Sequence, residues 1–205
     1  MKNLKFFFLA LGCIAALSLT SCLESNDDDN TGLSKAQRDQ CFAVVRGSYT
    51  GKLLYQNRDS QHPIDTIDVS WSIGADTMLV LRPFPAKAVA EQINDTELRK
   101  ALLEQGYTTE LKCYLGFYRN DSEVEFLLAP VKIDIPVAYQ DKTHTLSVYF
   151  WTDYSYGYKN VSTGAMEVQL MMAGAYLDDN QNYNYLSNTS SSMTGIKMIF
   201  STLIK

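Results

Sequence analysis

The chain has 205 residues, with 18 Lys and Arg against 23 Asp and Glu for a formal charge of −5, and 46% of its residues are apolar. That balance offers no basic face to a nucleic acid, and the apolar fraction is enough for a folded core rather than a solvated, disordered chain. With four cysteines, two histidines and no Cys-x-x-Cys pair, no metal or cofactor is expected.

The chain opens Met1-Lys2-Asn3-Leu4-Lys5, a positive start without an acid, and residues 6–19 are almost wholly apolar before the small pair Thr20-Ser21. This is the layout of a secretory signal, and it is short beside the ~20 apolar residues a spanning helix needs. Leu19-Thr20-Ser21-Cys22 resembles the lipobox of bacterial lipoproteins. That resemblance implies a signal peptide over 1–21 and a diacylglycerol on the Cys22 thiol, and several acyl chains on one residue anchor a protein stably in a membrane. Residues 23–32 hold four acids, no base and one apolar residue, so 22–33 reads as a flexible acidic tether. An acidic run after the lipidated cysteine is similar to the export signal that places Bacteroidota lipoproteins on the outer face of the outer membrane. A surface-exposed position follows as the expectation, with a periplasm-facing one as the alternative. Removal of 1–21 takes Lys2 and Lys5, leaving 16 bases against 23 acids and a charge of −7.

Residues 34–205 are expected to form one globular β domain. Ser34 and Gln37 have capping-box spacing, so a short helix should run to Arg46, with Gly47 as its C-cap. A strand over 49–55, a loop over 57–63 and a strand over 67–73 follow, the last with Ile67, Val69, Trp71 and Ile73 on one face. The chain turns at 74–76 and returns over 77–81. A helical insertion near 85–105 interrupts the β pattern: Pro85 can open a helix, Asn94 with Glu97 looks like a second cap, and Gly106 ends it. Alternation then resumes at Leu111, Cys113, Leu115 and Phe117, at Val124, Phe126 and Leu128, and at Val131, Ile133 and Ile135. In 145–151, Leu146, Val148 and Phe150 share one face, with Ser147, Tyr149 and Trp151 opposite. Met166 to Met172 and a closing strand from Ile196 complete the pattern. Many short strands without a βαβ rhythm predict an antiparallel β-barrel, with a two-sheet β-sandwich as the alternative.

The order of lipobox, acidic tether, short helix and a Gly47-x-Tyr49-x-Gly51 first strand is similar in layout to small Bacteroidota lipoproteins described as calycin-like, in particular the domain of unknown function 4840. That resemblance implies a calycin-like barrel and brings no catalytic residue.

Cys13 leaves with the signal and Cys22 carries lipid, so Cys41 and Cys113 remain, either as a disulfide in an oxidising compartment or as two buried thiols. The place of Cys113 on an apolar strand face favours thiols. His62 and His144 both read as surface residues, and neither a nucleophile elbow, a zinc-protease helix nor a phosphate loop occurs. Asp178-Asp179 is a carboxylate pair in a hydrophilic loop. An enzyme is therefore not expected. The segment that stands out is 149–158, with six aromatics in ten positions. Trp151, Tyr154, Tyr156 and Tyr158 are the candidate ligand contacts, joined by Tyr183 and Tyr185 from the loop after Asp178, because Tyr and Trp offer rigid contact area with a polar tip. The expected function is a non-enzymatic binding module for a glycan, peptide or small molecule. Alternatives are a structural lipoprotein that docks on an envelope complex and an inhibitor of hydrolases. The barrel interior discriminates: an open apolar cavity favours a small ligand, a filled one favours recognition on the outside.

Overall fold

The period-two alternation folds into ten strands, joined by three helices, over the residues that the computed structural model describes: 32–57, 61, 63–106, 108–186 and 196–203. The expected signal, Cys22, most of the tether and His62 lie outside them. In chain order the elements are α1 (Lys35–Val45), β1 (Gly47–Gln56), β2 (Ile64–Ile73), β3 (Met78–Pro85), α2 (Lys87–Ala90), α3 (Thr96–Gln105), β4 (Thr108–Asn120), β5 (Glu123–Pro130), β6 (Ile133–Tyr139), β7 (Lys142–Phe150), β8 (Tyr156–Asn160), β9 (Met166–Leu177) and β10 (Ile196–Ser201).

Eight strands close on themselves in the order β1-β2-β3-β4-β5-β8-β9-β10, all antiparallel, with β10 pairing both β9 and β1. The fold is thus a calycin-like closed barrel and not a sandwich, and closure removes the free strand edges. β6 and β7 form a hairpin outside the ring, and residues 146–150 of β7 pair with 172–177 of β9 beyond the barrel.

Side chains fill the interior. Tyr55, Trp71, Leu81, Phe126, Met166 and Phe200 point inward and none is more than 3% exposed. A void able to hold water would expose the atoms around it, so these values describe a packed centre. Contacts cross it: Trp71 Nε1 on β2 donates to Met166 Sδ on β9 at 3.4 Å, and the Trp71 ring lies 6.3 Å from Phe200 on β10.

Both ends are stoppered. At one end α1 packs its buried Cys41 and Val45 against β4 and β5. Its final carbonyls, which have no helical partner, are met by remote donors: Tyr49 OH donates to Val45 O, and Lys159 Nζ donates to Val44 O at 2.9 Å and lies 3.0 Å from Tyr49 OH. The Gly47-x-Tyr49-x-Gly51 motif has a structural reason here. Gly47 takes φ 148°, Tyr49 stacks on Trp71 at 5.7 Å, and a Cβ on Gly51 would lie 2.1 Å from Ser201 O across the seam with β10. At the other end α2, α3 and the β6–β7 hairpin cover the opening, burying Val89, Ile93, Leu98 and Leu102. Lys87 anchors this lid to the barrel through Asp65 Oδ2 at 3.2 Å, which also accepts from Tyr55 OH at 2.8 Å.

Several local expectations need correction. Pro85 ends β3, paired with Thr108, and the helical turn begins only at Lys87; a residue without an N–H is tolerated at a strand terminus. The cap of α3 is Asp95, whose Oδ1 accepts from Leu98 N at 2.8 Å, while Asn94 N donates to Tyr185 O. Gly47 does not end α1 in the αL conformation; Arg46 is the cap and is extended. Residue 131 does not continue into β6, which begins at Ile133 as a separate strand outside the ring. Ser147 is fully buried although alternation places it outward, because Lys132, Asp134 and Asp179 cover that face. Trp151 lies past the end of β7 in the 151–155 turn, and a further strand, β8, follows that turn.

Candidate functional site: an aromatic face on the barrel wall

On the wall formed by β4, β5 and β8, several residues between the core positions are aromatic or apolar, with the charged Lys112, Arg119 and Glu125 interspersed. Cross-strand register aligns them in rows: Tyr114 beside Ala129, Gly116 beside Leu127 beside Tyr156, and Glu125 beside Tyr158. A bulge between Phe117 and Arg119 adds Tyr118, so Tyr118 and Arg119 both face Glu125. Tyr114 is 55% exposed, Leu127 45%, Tyr156 40% and Tyr118 38%. Leu128 N donates to Ser155 O, so the end of the 151–155 turn continues beside β5 in the same register.

The turn is held firmly. Ser155 is buried, donates to Trp151 O at 2.6 Å and accepts from Met171 N at 3.3 Å. Gln169 on β9 donates to Tyr154 O at 3.1 Å and accepts from Tyr156 OH at 3.3 Å, tying turn and strand together. Charge gathers at one end of the face, where Arg119 pairs with Asp121 and Glu125, each at 2.9 Å. Partial burial, then a hydrogen bond to the Glu125 carboxylate, push the Tyr118 hydroxyl up to about 12. Burial and the carboxylates of Glu167 and Glu123 likewise raise Tyr158.

Of the residues expected from sequence, Trp151, Tyr154 and Tyr156 are exposed on or beside this wall, and Tyr158 is half-buried in it. Tyr183 and Tyr185 lie elsewhere. Their rings sit 4.6 Å apart, Tyr185 N donates to Ala175 O, and Leu186 pairs with Ile93, which places them against the lid. Tyr114, Gly116, Tyr118 and Leu127 are members that sequence reasoning missed. The signal was available: once Leu111, Cys113, Leu115 and Phe117 face inward, Tyr114, Gly116 and Tyr118 must face out.

The other chemistry-bearing groups are structural. Cys41 and Cys113 are free, buried thiols, and desolvation raises both pKa values, which suppresses the reactive thiolate. His144 Nδ1 lies 2.7 Å from Asp178 Oδ2 and is largely covered rather than fully solvated. Ser147 Oγ donates to Asp134 at 2.6 Å with Lys132 Nζ at 3.5 Å, a Ser–Lys–Asp arrangement that no substrate can reach because Ser147 has no exposed surface. Lys132 is moreover held protonated by Asp179 and Asp134, the reverse of what a general base needs. Asp178 and Asp179 form a turn with φ of 51° and 55°, and Asp179 accepts from Lys132 and Tyr149. Among the described residues, no group of three or more His, Cys, Asp or Glu is placed to hold a metal ion.

Residues 44–177, more than half of the chain, match the family model described as domain of unknown function (DUF4840). The chain belongs to that family. No curated protein and no solved structure matches it. The DUF4840 match begins within α1 and ends with β9, so it takes in seven of the eight barrel strands and the whole aromatic face. The seam strand β10, Ile196–Ser201, lies beyond it. No helix among the described residues is long and apolar enough to cross a membrane.

Proposed function

We propose that this DUF4840 chain is a non-enzymatic binding module, tethered to the outer membrane by lipid on Cys22 and displayed at the surface as in Bacteroidota lipoproteins, and that it recognises its ligand on the outside of the barrel. The observation that carries the recognition is the aromatic face on a packed barrel: Trp151, Tyr154 and Tyr156 are each at least 40% exposed, while the described inward side chains are buried against one another. Contiguous exposed apolar surface of this kind marks interaction sites in monomeric domains, and Tyr and Trp dominate such contacts. The tether is supported by Leu19-Thr20-Ser21-Cys22 and the acidic run behind it.

Two experiments test the two halves. Cys22→Ala should shift the protein out of the membrane fraction or leave it unprocessed, and an unchanged lipid-labelled, membrane-bound fraction contradicts lipidation. Asp27, Asp28 and Asp29 changed together to Asn should reduce cleavage by external protease on intact cells. For recognition, Trp151→Ala with Tyr156→Ala should abolish retention of any envelope component that the wild-type chain retains, with the fold unchanged by circular dichroism. Undiminished retention removes this face from the site.

A further inference from the structure

We propose that the trough running along β5 on this aromatic face binds a neutral carbohydrate chain. The inference rests on the outer-face function above and adds the class of ligand. Leu127 and Ala129 run along the middle of the trough, flanked by Tyr114, Gly116 and the bulged Tyr118 of β4 on one side and by Tyr156 of β8 on the other. β4 and β8 each lie one strand spacing from β5, so the two walls stand ~10 Å apart at the backbone. Gly116 keeps the trough open. A Cβ there would meet nothing within 4 Å, so the interior does not require glycine at this position. A glycine inside a strand weakens it and often marks close approach of a ligand.

Three features select the ligand. Every strand under the trough is paired on both sides in a closed barrel, so an extended peptide finds no edge to which it can add its backbone bonds. Among the described residues of these strands, each cation already has a partner: Arg119 is engaged by Asp121 and Glu125, Lys112 by Glu110 at 2.6 Å, and Lys159 is drawn to Val44 O at the end of α1. What remains is aromatic faces with polar tips, and Tyr118 and Tyr158 stay protonated as donors through neutral and mildly alkaline pH. Flat apolar faces bordered by tyrosine hydroxyls match a pyranose ring, which presents C–H bonds on its faces and hydroxyls at its edge.

The test is affinity electrophoresis of the full chain in non-ionic detergent, through gels containing glycogen, mixed-linkage β-glucan, arabinoxylan, galactomannan or yeast mannan, with polygalacturonate as the charged control. At least one neutral polysaccharide should retard the wild-type chain. Tyr118→Ala, Tyr156→Ala and Gly116→Leu should each weaken that retardation about tenfold or more, with melting temperatures at or above wild type for Gly116→Leu. Retardation by none of the neutral polymers, by polygalacturonate alone, or equally in wild type and variants overturns the carbohydrate assignment. Passing a detergent extract of the envelope over the immobilised chain separates this failure from failure of the outer-face function. Retention of an envelope protein that Tyr118→Ala and Tyr156→Ala lose, with no polysaccharide bound, overturns the carbohydrate assignment and leaves the face as a site; retention of nothing in either assay overturns both.

Discussion

The wall built by β1 and β2 and the wall around β5 lie on opposite sides of the ring, β1 and β5 being four strands apart in either direction, yet they present different outsides. On β1–β2 the outward rows start polar, with Ser48 beside Ser72, Thr50 beside Ser70, and Lys52 beside Asp68, an ion pair at 2.7 Å, and turn partly aliphatic at Leu54 and the exposed Ile64. On β4–β5–β8 the outward rows carry Tyr114, Gly116, Leu127, Ala129 and Tyr156, with the charged Lys112, Arg119 and Glu125 toward the ends. The two inward faces are alike, with Val69, Trp71 and Ile73 on one wall and Phe117, Phe126 and Leu128 on the other. Folding accounts for the inside of both walls, and the two outsides differ chiefly in that exposed tyrosines gather on the second. Polar outward rows keep a sheet soluble, whereas tyrosine and leucine left in water forgo the ~25 cal/mol per Å² that burial would return.

The two glycines near β5 state the same contrast. A Cβ on Gly157 of β8 would lie 2.6 Å from the Phe126 ring and 3.0 Å from Glu167 O, so this glycine is dictated by the core. Gly116 is dictated by nothing inside the molecule.

Substitutions can break or sharpen this comparison. The largest effect is expected inside: Phe126, fully buried and 6.1 Å from Phe117, should cost about 3–5 kcal/mol as Phe126→Ala by denaturant unfolding. A loss under about 1 kcal/mol would mean that the interior is not packed as described. Next is Gly157→Ala, which overpacks the same ring and should cost about 1–3 kcal/mol. Gly116→Ala should go the other way, stabilising by about 0.5–1 kcal/mol, since the added methyl is unobstructed; a destabilisation would show that the outer wall is constrained by the fold after all. The smallest effect concerns the β6–β7–β9 extension. Ser147, Lys132 and Tyr149 hold the Asp179 carboxyl below its ordinary 3.8. A lowered folded pKa contributes stability that is present above 3.8 and lost as pH falls through and below it. The denaturation midpoint of wild type should thus fall more between pH 7 and pH 2.5 than that of Asp179→Asn, and parallel curves would show the network to be inert.

How much could be read without the fold varies by element. The capping box at Ser34 and Gln37 was legible because both hydrogen bonds are local, 2.9 and 3.3 Å within one turn. Core alternation on β2, β4, β5 and β9 was legible because period two fixes the face of a strand. The α3 cap slipped by one residue because the competing use of Asn94, its bond to Tyr185 O, comes from a loop far along the chain. Half of the site was legible as an aromatic run, Trp151 to Tyr158. The other half was hidden, because Tyr114 and Tyr118 become neighbours of Tyr156 only through the pairing of β4, β5 and β8. Sequence grouped Tyr183 and Tyr185 with that run because they share its composition; the path of the loop back along β9 separates them.

By itself, then, the sequence determined what depends on near neighbours and period: the strand faces, the first helix and the all-β class. Only the tertiary structure decided barrel over sandwich, since closure depends on β10 pairing both β1 and β9. It also decided that the interior is filled, that Cys41 and Cys113 are not bridged, and that tyrosines from three strands form one face. Those are long-range facts, and side chains brought together by strand pairing leave no fixed spacing in the chain from which to read them.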